Sequence, residues 1–209
     1  MFREILTDAQ QTVLELLSRI PEIQTFYLAG GTALALHLGH RRSRDFDFFR
    51  SKEFRPQDLL THIMEVGEIE LLQETAGTLT VAFRGVPTSF FHYGYPLLRP
   101  LHETPWAIGL AHADDIAAMK LAALAGRGSR KDFVDLYFYC RERAPIEDVF
   151  GLFREKYRGL TVDSYHLLRS LTFFDDAEAE VMPDLLRKVT WDEIKTFFRV
   201  EAARLFRAL

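Results

Sequence analysis

The spacing of apolar residues changes character along the chain, and each change predicts a different element. Val13, Leu14, Leu16 and Leu17 recur at helical spacing after Thr7, a residue suited to capping, and the helix they predict ends before Pro21. The apolar run from Thr25 to Ala29 is stopped by Gly30-Gly31 and reads as a buried strand. Residues 32–39 read as a short helix closed by Gly39, and residues 44–50, Arg-Asp-Phe-Asp-Phe-Phe-Arg, read as a second strand. Pro56 opens a helix near its first turn. From Glu68 to Gly94 the pattern is that of consecutive strands, with turns at Ala76-Gly77 and Arg84-Gly85. Two helices follow between His112 and Arg143, joined at Gly126-Arg127-Gly128, with Asp114 as the expected N-cap. Beyond Pro145 the chain reads as helix over 145–157, 162–173 and 190–208. The front half is therefore mixed and the back half helical. This is an α+β architecture, divided into a core over residues 1–110 and a helical subdomain over 111–209.

Composition narrows the class. The 209 residues are 48% hydrophobic and 27% charged, in the range of an ordinary globular chain, and 18 of them are Phe, so aromatic rings must fill much of the core. The net charge of -4 argues against broad, sequence-independent binding to nucleic acid, although a local basic cleft is compatible with it. Cys140 stands alone, which rules out an internal disulfide and fits a reducing compartment. The acidic, amphipathic start does not resemble a signal peptide and no apolar run is long enough for a bilayer, so a cytoplasmic protein without membrane contact is expected.

The chemistry concentrates in Phe26–Phe49, FYLAGGTALALHLGHRRSRDFDFF. On an extended strand Arg41, Ser43, Asp45 and Asp47 point one way, and Phe46 and Phe48 point the other way into the core. Two adjacent carboxylates on one face raise each other's pKa unless something compensates them. A hard divalent cation does so, and Mg²⁺ is typically held by one or two carboxylates together with substrate phosphates. Solvated carboxylates, or carboxylates paired with Arg41, Arg42 or Arg44, are the plainer alternative. What favours the metal is the upstream turn. Gly30-Gly31 follows a strand and precedes a helix, so its backbone N–H groups form a phosphate site, to which Thr32 adds a hydroxyl. A phosphate cradle and a carboxylate pair joined by one short helix suit a metal-bound nucleoside triphosphate.

Two blocks resemble a known family. Gly30, Gly31, Thr32, Ala33 and Leu34, followed by His40, Arg41, Ser43, Asp45 and Asp47, resemble the signature of the nucleotidyltransferases that include the AbiEii-type abortive-infection toxins, within the DNA polymerase beta-like superfamily. Lys120, Ala123, Arg127, Lys131, Asp132, Asp135 and Leu136 resemble that family's downstream helical motif, in the same order along the chain. The resemblance spans roughly residues 20–140. It implies a small mixed sheet flanked by helices, with a helical subdomain closing over the nucleotide. It implies transfer of a nucleotidyl group from an NTP to a hydroxyl, with tRNA as one acceptor used by relatives and an antitoxin protein as a partner of others. Asp45 and Asp47 would then hold Mg²⁺ or Mn²⁺. Gly30, Gly31, Thr32, Arg41, Ser43 and Arg127 would bind nucleotide and phosphate, and Lys120 would neutralise phosphate charge. Asp132 or Asp135 would act as base or orienter, unless both merely pair with Arg127, Arg130 or Lys131.

The sequence departs from the superfamily at one point. Active members usually carry a third carboxylate on a later strand, and the matching position falls near Ser89. No Asp or Glu lies between Glu74 and Glu103. Either two carboxylates suffice, aided by Asp132 or Asp135, or the chain is a nucleotide-binding or protein-interaction module of the same fold without turnover.

Overall fold

The computed structural model describes residues 1–160 and 162–207, so the last residue of the helix expected over 190–208 lies outside the described residues. Thr7 caps α1 (Asp8–Leu17) through a reciprocal box. Its hydroxyl accepts the Gln10 N–H, and the Gln10 side chain accepts the Thr7 N–H at 3.0 Å. A 3₁₀ turn over Pro21–Thr25 then delivers a strand shorter than the apolar run predicted, β1 (Tyr27–Ala29). The diglycine is not a loop after that strand. It is the first turn of α2 (Gly30–Leu38), which Gly39 closes in the left-handed conformation (φ +62°).

The remaining strands are β2 (Phe46–Arg50), β3 (Ile69–Thr75), β4 (Thr78–Phe83), β5 (Val86–His92) and the two-residue β6 (Gly109–Leu110). With β1 they form one sheet in the order β3-β4-β5-β2-β1-β6. The sheet is mixed: β2 runs parallel to β5 and antiparallel to β1, and β6 runs parallel to β1. At Arg84-Gly85 both residues take positive φ, 49° and 79°, as a two-residue hairpin turn between twisted strands requires. The helix opened by Pro56 is α3 (Pro56–Val66).

Alternation decides the sheet's two faces. Phe46, Phe48, Leu79, Val81, Phe83 and Phe90 are fully buried on one face, against which α1 and α3 pack. Phe48 and Phe90 stack at 5.1 Å, and Phe26 meets Phe90 edge-on at 5.4 Å, so aromatic rings do fill this core. The other face presents Ala29, Asp47, Ser89 and Thr80 side by side in register.

The back half is helical as expected: α4 (Ala113–Gly126), α5 (Arg130–Glu142), α6 (Ile146–Lys156), α7 (Ser164–Ser170), α8 (Asp175–Glu178) and α9 (Trp191–Phe206). One cap differs from expectation. His112, not Asp114, caps α4, because its Nδ1 accepts the Asp114 N–H at 3.1 Å. The Asp114 carboxylate is thereby left to accept the Tyr139 hydroxyl at 2.9 Å. A buried pair, Lys156 Nζ and Asp115 at 2.7 Å, ties α6 to α4. Asp115 also accepts the N–H groups of Leu98 and Arg99, and Lys156 donates to the Pro96 carbonyl, which fixes the crossover from β5 to β6. No helix among the described residues is long and apolar enough to cross a membrane.

Candidate active site

The strand carrying the aspartates begins only at Phe46. Arg41 to Asp45 arrive in an irregular segment, so the shared face predicted for Arg41 and Ser43 does not form. Both are buried. The segment is held by backbone bonds from Arg42 N–H to the Asp184 carbonyl and from Leu186 N–H to the His40 carbonyl, at 2.8 and 2.9 Å. Gln10 Nε2 adds a bond to the Ser43 carbonyl at 2.8 Å. Alternation does hold from Asp45 onward: Phe46 and Phe48 are buried, while Asp45 and Asp47 are half-buried.

Ala29 faces Asp47 across the antiparallel pair, which sets the diglycine directly against the second aspartate. A Cβ on Gly30 would fall on Asp47 Oδ2, and Gly30 also takes a φ of +68°. A Cβ on Gly31 would fall on the Arg41 guanidinium. Both glycines are thus needed for close approach, and Gly30 for its backbone as well. The N-cap of α2, Ala29, offers no side-chain acceptor to the first-turn N–H groups. No side chain therefore caps those donors or the positive end of the helix, where an anion is favoured.

The two aspartates differ sharply. Asp45 accepts the Ser43 hydroxyl at 3.0 Å and lies 3.6 Å from Lys131 Nζ. Burial pushes its pKa up, but Lys131, Ser43 and Arg41 outweigh that and hold it below the usual carboxylate range. Asp47 makes no hydrogen bond or ion pair within the described residues. Burial, reinforced by the charge of Asp45 and only partly offset by Lys120 and Lys131, raises its pKa to about 6. The pair is thus half compensated, with the Asp47 carboxylate unmatched beside an uncapped helix end. Thr32 is turned away from that opening: its hydroxyl donates to the Asp45 carbonyl, a contact that orients the aspartate.

The helical motif residues gather in a second, closed cluster. Asp135 is fully buried and receives Arg41 Nε at 2.6 Å, Arg41 Nη2 at 3.0 Å, Lys120 Nζ at 2.7 Å and His40 Nε2 at 2.8 Å. Lys120 also reaches Asp132 at 2.7 Å, and the Ser129 hydroxyl donates to Asp132 at 2.6 Å. Burial alone would raise the Asp135 pKa, yet Arg41 and Lys120 hold it well below the carboxylate range. Lys120 is likewise kept protonated, because Asp135 and Asp132 outweigh its desolvation. The partners of Asp132 and Asp135 are therefore Lys120 and Arg41 rather than Arg127, Arg130 or Lys131. Arg130 points to the Ala177 and Glu178 carbonyls, and Arg127 is exposed in the α4–α5 turn.

The structure brings Gly30, Gly31, Thr32, Ser43, Asp45 and Asp47 together around the N-terminal turn of α2, with Arg41, Lys120, Asp132 and Asp135 packed beside them. In the sequence motifs His40 has no assigned role, and Lys131 stands only as an alternative partner of Asp132 and Asp135, whereas in the structure it lies against Asp45. Their signal was their place in those blocks; their contacts reach across the fold, 95 residues in the case of His40. Ser89 stands beside Asp47 on β5, and its hydroxyl meets that of Thr80 at 3.2 Å. The position near which the resemblance expects a third carboxylate thus carries a serine hydroxyl beside Asp47. Among the described residues no group of three His, Cys, Asp or Glu is arranged to hold a metal. The Asp45–Asp47 pair, with the whole Asp47 carboxylate unpartnered, suits a hard cation that completes its shell with phosphate oxygens.

A family model for the nucleotidyl transferase AbiEii toxin of type IV toxin–antitoxin systems matches residues 12–103. The Aquifex aeolicus (strain VF5) protein aq_aa25 is 38% identical over 194 residues, covering 91% of this chain and 92% of its own length. This chain belongs to the AbiEii nucleotidyltransferase family. Two solved structures share this fold. MenT4, a nucleotidyltransferase toxin from Mycobacterium tuberculosis H37Rv, matches with a TM-score of 0.63 at 20% identity, over 93% of this chain and 80% of that one. A crystal structure from H. pylori assigned as a nucleotidyltransferase matches with a TM-score of 0.58 at 17% identity, over 98% and 97% of the two chains. For this AbiEii member the front-half mixed sheet and the helical back half read from the sequence agree with those neighbours.

Proposed function

We propose that this protein transfers a nucleotidyl group from a nucleoside triphosphate to a hydroxyl acceptor, with a divalent cation held by Asp45 and Asp47. The observation that carries the reading is the unpaired Asp47 carboxylate lying against the uncapped N-terminal turn of α2. Bound Mg²⁺ or Mn²⁺ would supply Lewis-acid charge to the attacking and leaving oxygens. The protein's own part is positioning. First-turn N–H groups at Gly30, Gly31 and Thr32 would donate to phosphate oxygens. Ser43 and the Thr32 hydroxyl fix the orientation of Asp45. Arg41, Lys120, Asp132 and Asp135 hold α5 and the 40–45 segment at the back of the cleft rather than touching substrate. Arg127, exposed on the helical turn, would serve the nucleotide or the acceptor from outside. In cells the protein would act in the cytoplasm as the toxin of a pair with a cognate antitoxin, with tRNA as an acceptor. Family membership and the fold shared with a nucleotidyltransferase toxin support this.

The direct test is incubation with each α-labelled NTP, Mg²⁺ and bulk tRNA. Labelled product from the wild type and none from Asp47→Ala supports the reading. Folded protein that labels no acceptor with any NTP overturns it. Ser89 favours a second reading, binding without turnover. Nucleotide-induced thermal stabilisation that needs no metal and survives Asp47→Ala would select it.

A further inference from the structure

The cation expected to meet the phosphates is not free to do so. Lys120 is buried, and its ammonium is engaged by both Asp132 and Asp135. Arg41 is equally closed, with a bidentate grip on Asp135 and a third bond to the Arg42 carbonyl. Among the described residues, Lys131 is the one exposed cation in contact with either strand aspartate. Its side chain is 47% exposed, and its Nζ lies 3.6 Å from Asp45 Oδ2, an ion pair too long for a good hydrogen bond.

The backbone under Lys131 is fixed. Asp132 is clamped by Lys120 and Ser129, and three residues further on Asp135 is clamped by Arg41, whose Nη2 backs the Gly31 turn. One rigid chain of contacts therefore links the α2 turn to the residue next to Lys131, while the lysine itself has a flexible four-carbon stem. Its location is also unfavourable for a purely structural lysine. It sits in the first turn of α5, where the helix dipole disfavours a cation.

Resting on the reading of Asp45 and Asp47 as a cation site, we propose that Lys131 is the cationic side chain that meets the phosphates, beside the backbone N–H groups of the α2 turn. It neutralises Asp45 while the cation site is empty and passes to the triphosphate when a divalent cation takes its place. The exchange conserves charge pairing at each stage. The ammonium and the metal compete for the same Asp45 oxygen, and the incoming polyphosphate supplies the oxygens the ammonium then needs. An exposed, long ion pair is weak enough for this release.

Lys131→Met tests the exchange through two binding measurements that a scaffold role would move together. Mn²⁺ alone, titrated by water-proton relaxation, should bind as tightly as in the wild type or a few-fold more tightly, because its competitor is gone. Magnesium tripolyphosphate, titrated by calorimetry, should bind about fivefold more weakly, the loss of one screened charge contact. Lys131→Arg should recover most of that loss. Unchanged tripolyphosphate binding in Lys131→Met overturns the inference, as does parallel weakening of both ligands. A folded wild-type protein that binds neither Mn²⁺ nor magnesium tripolyphosphate overturns the reading of the cation site itself, and the inference with it.

Discussion

Two aspartate pairs with almost the same spacing have opposite fates in this protein. Asp132 and Asp135, three apart on α5, are sealed inside a shell of Lys120, Arg41, His40 and Ser129, with every carboxylate oxygen matched by a donor. Asp45 and Asp47, two apart at the start of β2, share one hydroxyl and one distant ammonium, and Asp47 has neither. The difference separates scaffold from chemistry. A satisfied buried charge holds elements together, whereas a half-buried carboxylate with no protein partner is available to a ligand, which is what the proposed cation site draws on.

The comparison is broken most severely at Asp135. Asp135→Ala leaves the Arg41 guanidinium buried without its carboxylate, and it should cost about 3–5 kcal/mol. A melting temperature lower by roughly 10 °C is the corresponding shift for a chain of this size. Denaturant unfolding of the purified variant measures the effect, and a loss below about 1 kcal/mol would show that the cluster is not a scaffold. In the wild type the Asp135 contribution should persist in acid. Its folded pKa is depressed, so the stability it confers is present above the unfolded carboxylate pKa and is lost only as pH falls through the much lower folded value.

Asp47→Asn should act in the opposite direction. The folded pKa of Asp47 is raised to about 6, so its protonation favours the folded state below the unfolded value of 3.8, and that benefit disappears as pH rises through 6. The neutral variant escapes this, so without metal at pH 7 it should be more stable than the wild type by about 2 kcal/mol. The gap should close as pH falls from 7 to 4. Added Mg²⁺ should stabilise the wild type and leave the variant unmoved. Thermal melts across this pH range, with and without Mg²⁺, check the sign. A variant less stable than the wild type at pH 7 would place Asp47 with the scaffold.

The smallest effect is expected at Ser89. Ser89→Asp would set a third carboxylate next to Asp47 in register across β2 and β5. It should tighten Mn²⁺ binding several-fold while lowering metal-free stability by about 1 kcal/mol, because like charges then face each other across the strands. Unchanged Mn²⁺ affinity would show that Ser89 does not face the cation.

What was legible in the sequence is what local pattern encodes. Period-two alternation marked Phe46 and Phe48 as core and the aspartates as presented, and the glycine at 85 marked a turn whose mirror-image geometry few other residues accept. The attention to Ser89 came from the family resemblance, which expects a third carboxylate on a later strand; its place in register beside Asp47 depends on a strand pairing that no local pattern encodes. What was not legible depends on distant partners. Nothing near Lys120 indicates that it would be locked between two carboxylates, and nothing near Arg41 reveals Asp135, 94 residues away. The two residues of β6 are too few to carry a period, and the cap on α4 turned on where the helix starts, because His112 rather than Asp114 takes the capping position and accepts the Asp114 N–H. The buried Asp115–Lys156 pair escaped notice for the same reason: each residue alone looks like an ordinary surface charge.

The reach of Arg41 to Asp135 bears on any attempt to trim the protein. The junction after residue 110 looks like a natural place to cut, yet the guanidinium and the carboxylate lie on opposite sides of it, as do His40 and Asp135 and the backbone donors of Leu98 and Arg99 with Asp115. A fragment ending there would carry a stranded ion in its interior. A minimal nucleotide-handling piece should therefore be sought by engineering two co-expressed fragments that reassemble, not by truncation.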